Sequence, residues 1–353
     1  MHYSKSLYIF FIILAVIISF FSTIKVKAKA FQIKDVEISK PFENNFDKNM
    51  AINSGFRKAF FELIDTLIKS SDFKKIGKIK LNEIKGMVES FSIKEEKFIN
   101  QTYYVNLGVT FDKKKVFSYL EKKNIFPTQI IKETFLFIPI IIDENVNDMI
   151  IFSNNQIFQN WNKKNKKSQL IKYLLPTEDL EDMNFIKSKS DFIENYDFKE
   201  VIEKYFLNHS IVALIFKNDD EIKLLSKVTI QDKSILRNET FKLIDFDNQD
   251  QVEILIAKLK ILYDDLWKEY NQINTSIKLP LLISINNKDL KKSLEFEKIL
   301  NQIDLVNNYF INKFDMDNIH YKVIFNGTPN NFINIMKKKN YNFDTQKKIW
   351  VLR

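Results

Sequence analysis

The spacing of hydrophobic residues predicts one long amphipathic helix near the start of the chain. Between Asn49 and Ser70, apolar residues recur three and four positions apart, as they do on one face of a helix. Ala51, Gly55 and Ala59 form a row of small residues on that face. A row without bulky side chains predicts that a sheet approaches the helix closely there.

Strands are predicted on either side of this helix. The segment "FQIKDVEIS" precedes it, and "FSIKEEKFI" and "YYVNLGVTF" follow it as a hairpin, the second with strict alternation of apolar and polar residues. A short helix through Val116 and Leu120 ends the unit before a joint near Pro127. These elements predict an N-terminal α+β domain over residues 31–126.

Residues 130–273 predict a middle α/β domain with a mixed sheet. The run "TFLFIPIII" is continuously apolar, which is typical of a strand covered on both faces. A helix is predicted over residues 148–161, and three consecutive strands are predicted in "SIVALIF", "EIKLLSKVTI" and "ILRNETFKL". A long helix opened by Asp250 then presents Val252, Leu255 and Leu259 on one face. Alternating elements followed by a meander favour an α/β layer.

Residues 277–353, after a joint near Pro280, predict a compact β-α-β-β-α-β order. That order defines the ferredoxin-like arrangement, which serves many unrelated functions. The predicted fold class is therefore α/β and α+β multidomain, with mixed-sheet α/β units followed by a C-terminal ferredoxin-like domain.

The order of these elements resembles a family of exported proteobacterial proteins that is filed under a domain of unknown function. The resemblance is carried by the small-residue helix, the hairpin ending in "VTFDKKKVFSYLEKKNI", the strand "TFLFIPIII" and the segment "LLPTEDLEDM". It covers most of the chain after residue 30 and implies a location in the cell envelope. It implies no activity and no catalytic residues.

The first 30 residues predict a secretory signal peptide. An apolar run from Leu7 to Phe21, interrupted only by Ser19, follows Lys5 and ends in "VKAKA". Ala28 and Ala30 occupy the positions that signal peptidase reads, which predicts cleavage after Ala30. The run is shorter than the roughly 20 residues that span a bilayer. The alternative is a retained inner-membrane anchor over residues 7–24.

Composition excludes several classes of protein. The chain has no cysteine, so disulfides, thiolate metal sites and cysteine nucleophiles are ruled out. Removing the four lysines of residues 1–30 lowers the formal net charge from +9 to +5, and only Arg57, Arg237 and Arg353 are arginines. Because arginine is the preferred residue for phosphate and base contacts, a nucleic-acid partner is not predicted.

The densest candidate for chemistry is an acidic segment after "LIKYLLP". Its four carboxylates belong to Glu178, Asp179, Glu181 and Asp182, and Thr177 is the predicted N-cap of a helix there. Acidic residues complement the positive end of a helix dipole, so the simplest interpretation is a charged helix start. The alternative is a catalytic site in which Asp179 and Asp182 work with a distant His or Lys, such as His209.

No catalytic, cofactor-binding or metal-binding residue is assigned from the sequence, and no cofactor is predicted. His209 and His320 lie in no zinc-ligand spacing, and phosphate-binding or nucleophile-elbow motifs do not occur. The sequence predicts an exported, periplasmic, non-catalytic binding or scaffold protein of the cell envelope, with an envelope protein as its partner. The alternatives are an envelope hydrolase that uses Asp179 and Asp182, and an inner-membrane-anchored periplasmic protein.

Overall fold

A computed structural model describes residues 30–288 and 290–353. The predicted signal peptide with Ala28, and the alternative anchor over residues 7–24, lie outside these residues, and Ala30 is the first residue of a strand. Three sheets, antiparallel or mixed, alternate with helices over the described part of the chain, which confirms a mixed α/β and α+β architecture. No helix within that part combines the length and the apolar character needed to cross a bilayer.

The first sheet is antiparallel, in the strand order β1-β3-β2. Two long neighbouring strands form its hairpin, and the first helix packs against the sheet over a buried cluster of mostly aromatic and branched aliphatic residues. The elements in chain order are β1 (Ala30–Pro41), α1 (Lys48–Leu67), α2 (Phe73–Ile76), α3 (Leu81–Met87), β2 (Val88–Ile99), β3 (Thr102–Asp112) and α4 (Lys113–Lys122).

The row of small residues on α1 faces the sheet, as its sequence predicts. Ala51, Gly55 and Ala59 are buried. A methyl group added at Gly55 would lie 2.3 Å from Cδ1 of Leu107 on β3. This distance is far shorter than a van der Waals contact, so the close approach of helix and sheet depends on the glycine.

The middle sheet is mixed and has helices on both faces. β4 pairs in parallel with β6 and β7, whereas β5, β8 and β9 join antiparallel. Alternate residues of β4 enter two separate hydrophobic clusters, which confirms a strand covered on both sides. The elements are β4 (Glu133–Asp143), β5 (Asp148–Ile150), α5 (Gln156–Asn160), β6 (Ile171–Leu174), α6 (Leu180–Lys187), α7 (Lys199–Glu203), β7 (His209–Lys217), β8 (Glu221–Ile230), β9 (Lys233–Lys242) and α8 (Gln249–Tyr270).

The predicted helix over residues 148–161 is wrong for most of its length. β5 pairs with the end of β4 at residues 148–150, and only Gln156–Asn160 is α-helical. Asn155 caps that short helix by accepting from the backbone N–H groups of Ile157 and Phe158. Pairing with a long buried strand outweighs local helical periodicity here.

The last sheet has the order β11-β12-β10-β14-β13. Its first five elements follow the predicted β-α-β-β-α order, but the chain ends in a hairpin whose last strand runs parallel to β10. The ferredoxin-like prediction is therefore confirmed only as a mixed sheet with two helices. The elements are β10 (Leu279–Asn286), α9 (Leu290–Gln302), β11 (Val306–Phe314), β12 (Asn318–Phe325), α10 (Pro329–Lys337), β13 (Phe343–Asp344) and β14 (Ile349–Leu352).

Polar contacts connect the three sheets and their helices. The buried ammonium of Lys113 on α4 donates to Asp304, which lies just before β11. Ser70, just after α1, is bonded to Asp265 on α8. The second contact lies beside a large groove on α8. The domain boundaries at residues 126, 130, 273 and 277 stay predictions.

Candidate binding groove

A groove of about 890 Å³ runs along the outer face of α8. Its floor is formed by residues of α8 from Asp250 to Lys268, a length of about 27 Å at 1.5 Å per residue. One wall is the loop between α5 and β6, and the other contains Asp65 of α1 with Ser70 and Phe73. The cavity is therefore built from both the N-terminal and the middle parts of the fold.

The floor of the groove is an apolar stripe on the side of α8 that faces away from the middle sheet. The inner side of α8 buries Leu255, Leu259 and Tyr263 in the core. On the outer side, Ile254 and Ile261 lie seven residues apart with 56% and 40% of their surfaces exposed, and Ala257 lies between them. Residues three, four and seven apart share a helix face, so the three side chains form one continuous apolar strip.

The wall formed by the loop between α5 and β6 is fixed at its C-terminal end. The hydroxyl of Ser168 donates to Oδ2 of Asp65 over 2.5 Å. Two residues later, the backbone N–H of Leu170 donates to Oδ1 of Asp264 over 3.0 Å. The loop is thereby attached to α1 and to α8 at once, which holds the groove open at a defined width.

Two ion pairs involve four of the ten charged side chains that line the groove. Nζ of Lys164 lies 2.6 Å from Glu253, and this pairing lowers the pKa of Glu253 and raises the pKa of Lys164. Lys268 lies 2.8 Å from Asp264 and also donates to the backbone carbonyl of Asp65 over 2.6 Å. The two charges cancel within each pair, and the paired side chains form part of the rim of the groove.

Lys260 differs from these lysines because it is buried without a carboxylate. Its side chain lines the groove and is 8% exposed. Its ammonium donates to the carbonyl of Lys164 and to Oδ1 of Asn165, each over 2.7 Å, and lies 5.4 Å from the centre of the Trp161 ring. Burial lowers the pKa of Lys260 to about 8. Nowhere in residues 30–288 and 290–353 does a carboxylate form an ion pair with it.

The side-chain amide of Gln169 is a further buried donor in the lining of the groove. Gln169 lines the groove, and its Nε2 atom is buried without a hydrogen bond to the described chain, although the Tyr173 hydroxyl lies nearby. A buried donor that remains unsatisfied destabilises the fold by about 1–3 kcal/mol. The groove therefore presents two donor groups suited to an acceptor that comes from outside the protein.

The acidic segment identified from the sequence has structural roles. Asp179, not the predicted Thr177, caps α6 by accepting from the backbone N–H of Glu181 over 2.8 Å. Asp182 is 5% exposed and lies 2.5 Å from Nζ of Lys204, which raises the pKa of that lysine. The helix starts two residues later than predicted because the aspartate side chain satisfies the first free N–H groups.

His209 is not brought to this segment. Its ring stacks on Phe135 with centroids 4.8 Å apart, and its Nδ1 accepts from the backbone of Gln231. Burial lowers the pKa of His209. No hydrogen bond or ion pair joins it to Asp179 or Asp182 in the described residues. His320, at the other end of the chain, is bonded through Nε2 to Asp315 over 2.8 Å.

The residues of the groove were not singled out from the sequence. Ile254 and Ile261 carry the available signal, since they interrupt the polar face of the predicted helix at helical spacing. Lys260 carries none, because its burial depends on a loop almost 100 residues earlier in the chain. Among the described residues, no cluster of three or more acidic or histidine side chains could hold a metal ion.

No protein-family model matches the chain, and no curated protein is significantly similar to it.

Proposed function

We propose that the protein is an exported, periplasmic binding protein of the cell envelope that acts without catalysis, and that the groove along α8 is its binding site. One observation carries the assignment of the site: the buried ammonium of Lys260 lines the groove, and no carboxylate among the residues that the structure describes pairs with it. Burying a charge without a counter-charge is unfavourable, and native proteins tolerate it mainly where function requires it.

The contacts of four of the five carboxylates that line the groove support binding over acid–base catalysis. Asp65, Glu253, Asp264 and Asp265 are each held by a hydrogen bond or an ion pair to a neighbour. A general acid or base must exchange a proton with a substrate, whereas these carboxylates fix the walls of the cavity. A cavity of about 890 Å³ with an apolar floor and few directed polar groups is typical of a small-molecule site.

The proposal of export depends on the N-terminal sequence. The lysine, the apolar run and the pair Ala28 and Ala30 support cleavage after Ala30, and the resemblance to exported proteobacterial proteins supports a place in the envelope. We also propose that the C-terminal part is a ferredoxin-like domain extended by a final hairpin. Its support is the order of the five elements from β10 to α10.

The location is tested by fractionating the cells that make the protein and sequencing its N-terminus. We expect the protein in the periplasmic fraction with Phe31 as its first residue. Recovery from the inner membrane with residues 7–24 still attached would replace the periplasmic assignment by the anchored alternative.

The binding site is tested by mass spectrometry of small molecules that copurify with the protein from its own envelope. We compare the native chain with an Ile254→Asp, Ile261→Asp double variant, and with Leu236→Asp as the control. Leu236 is 62% exposed on β9 and does not line the groove, so the control adds a carboxylate elsewhere on the surface.

We expect a stoichiometric small molecule with the native chain and with the control, and its loss from the double variant. Equal recovery from all three proteins would exclude the groove as the site. Recovery from none would exclude the binding function itself.

A further inference from the structure

The chemistry of the groove narrows the class of ligand, and this inference rests on the proposed function above. The cavity combines two different surfaces within one helix face. Lys260 is the cationic element, and Ile254, Ala257 and Ile261 are the apolar element. A ligand that satisfies both must carry a negative charge and an apolar part in the same molecule.

The charged end of the ligand is indicated by Lys260 and Gln169. The ammonium uses two of its three N–H groups on Lys164 and Asn165, and the side-chain amide of Gln169, beside the Tyr173 hydroxyl, makes no well-formed hydrogen bond within the described part of the chain. Both groups are donors in the lining of one cavity, so they favour a ligand with several acceptor oxygens over one that is itself a donor. A carboxylate or a phosphate monoester has this property, and a hydroxyl or a cation does not.

The apolar end is indicated by the dimensions of the stripe. From Ile254 to Ile261, α8 rises by about 10 Å, and Lys260 lies beside the C-terminal end of that stretch. A ligand whose anion reaches Lys260 would lay an unbranched chain over Ala257 toward Ile254. A helical peptide is a less suitable occupant, because about 890 Å³ lies within the range of about 300–1,000 Å³ found for small ligands.

We infer that the groove binds a single-chain amphiphile with one acidic head group, which pairs with Lys260, while its hydrocarbon chain covers Ile254, Ala257 and Ile261. The acidic group is a carboxylate or a phosphate monoester, and the two are separated by the choice of probe. Free fatty acids belong to the first type, and alkyl phosphates such as decyl phosphate belong to the second.

The inference is tested by isothermal titration calorimetry with the purified protein and four probes: decanoate, decyl phosphate, decanol and acetate. Decanol keeps the chain without the charge, and acetate keeps the charge without the chain. We expect one of the two decyl anions to bind at least tenfold more tightly than decanol and acetate. Decanol binding equal to both anions would overturn the assignment of the charged end.

Two variants locate the binding. Lys260→Met keeps the length of the side chain and removes the charge, and we expect it to weaken binding of the anion about tenfold to hundredfold while leaving decanol unchanged. Lys258→Met is the matched control, since Lys258 is exposed on α8 and does not line the groove. An equal loss of anion affinity in the two variants, or no loss of affinity in either, would overturn the role of Lys260.

The pH dependence of binding provides a test that needs no variant. The pKa of Lys260 is about 8, so the free protein loses the ammonium between pH 7 and pH 9.5, and anion affinity falls about tenfold or more. Decanol affinity should stay constant. Five acids and four lysines line the same cavity: Asp65, Asp250, Glu253, Asp264 and Asp265, and Lys163, Lys164, Lys166 and Lys268. If Lys260→Met loses the pH dependence of anion affinity, that dependence is assigned to Lys260 and not to the other charged groups. Persistence of the pH dependence in this variant would overturn the assignment.

The outcomes separate this inference from the proposed function. Equal binding of decanol and the anions, abolished by the Ile254→Asp, Ile261→Asp double variant, retains the groove as a binding site and excludes the anionic head group. Absence of binding for every probe overturns the assignment of an acidic single-chain amphiphile, and if no molecule copurifies either, the proposed function is excluded as well.

Discussion

Ser70 gives two hydrogen bonds to the carboxylate of Asp265, which lies 195 residues later in the chain. Its backbone N–H donates to Oδ1 over 2.8 Å, and its hydroxyl donates to Oδ2 over 2.5 Å. Both residues line one end of the groove. This two-point contact fixes the segment after α1 against α8, and therefore holds one wall of the groove against its floor.

We expect Ser70→Ala and Asp265→Asn each to lower the free energy of unfolding by about 1 kcal/mol, because each weakens a hydrogen bond to a charged group. The double variant should lose less than the sum of the single losses, since one interaction is removed twice. Urea denaturation measures all three values. Ser71→Ala is the control, because Ser71 is exposed and makes no such bond to any residue that the structure describes. Strict additivity would show that the pair contributes nothing.

The sequence predicted those helices and strands that side-chain spacing reveals without knowledge of what they pack against. The period of α1, the apolar run of β4 and the three strands after residue 208 follow from side-chain spacing alone. The contact between Ser70 and Asp265 could not be predicted, because neither residue differs locally from an ordinary surface serine or helical aspartate. Their proximity results from the packing of two separate parts of the fold.

The surroundings of Gly55 and Gly86 predict opposite effects of a change to alanine on the free energy of unfolding. Both glycines lie in helices, where alanine is favoured over glycine by about 1 kcal/mol. A methyl group at Gly55 would overlap Leu107, whereas nothing lies within 4 Å of one at Gly86. Gly86→Ala should raise the free energy of unfolding by up to about 1 kcal/mol. Gly55→Ala should lower it by about 1 kcal/mol, because overpacking outweighs helix propensity.

Thermal denaturation of the two glycine variants against the native chain is sufficient to check this. A stabilised Gly55→Ala protein would mean that Leu107 moves aside without loss, and that the close approach of α1 to the sheet is not a requirement of the fold.

The acidic segment gives a prediction that separates a helix cap from a catalytic group. Asp179→Ala removes the acceptor for the N–H of Glu181, so we expect it to lower the free energy of unfolding by about 1 kcal/mol. Glu178→Ala should have no effect, because that exposed side chain lies outside the helix and caps nothing. Chemical denaturation measures the free energy of unfolding of both variants. Equal stability of the two proteins would remove the capping role from Asp179.

The groove shows why a candidate site cannot be predicted from the sequence even when the apolar residues of its floor are recognisable there. Ile254 and Ile261 are recognisable as apolar residues on a polar face, but scattered exposed apolar residues are common on protein surfaces. Their meaning depends on the loop that contains Lys164 and Asn165, which turns Lys260 from a surface lysine into a buried one. The position of that loop is a property of the tertiary structure and leaves no local signal.

The burial of Lys260 predicts a specific dependence of stability on pH. Its pKa is about 8 in the folded protein and about 10.5 in the unfolded chain, so the unfolded state binds more protons between these values. The destabilisation by the buried ammonium is full below pH 8, and it disappears as the pH rises toward 10.5. The free energy of unfolding of the native chain, minus that of Lys260→Met, should therefore rise by about 3 kcal/mol between pH 7 and pH 10.5. Urea titrations at several pH values measure this difference, and the same comparison with Lys258→Met should stay flat because Lys258 is exposed. A flat difference for Lys260→Met as well would show that the ammonium is solvated in the folded protein, and the groove would lose its unpaired buried charge.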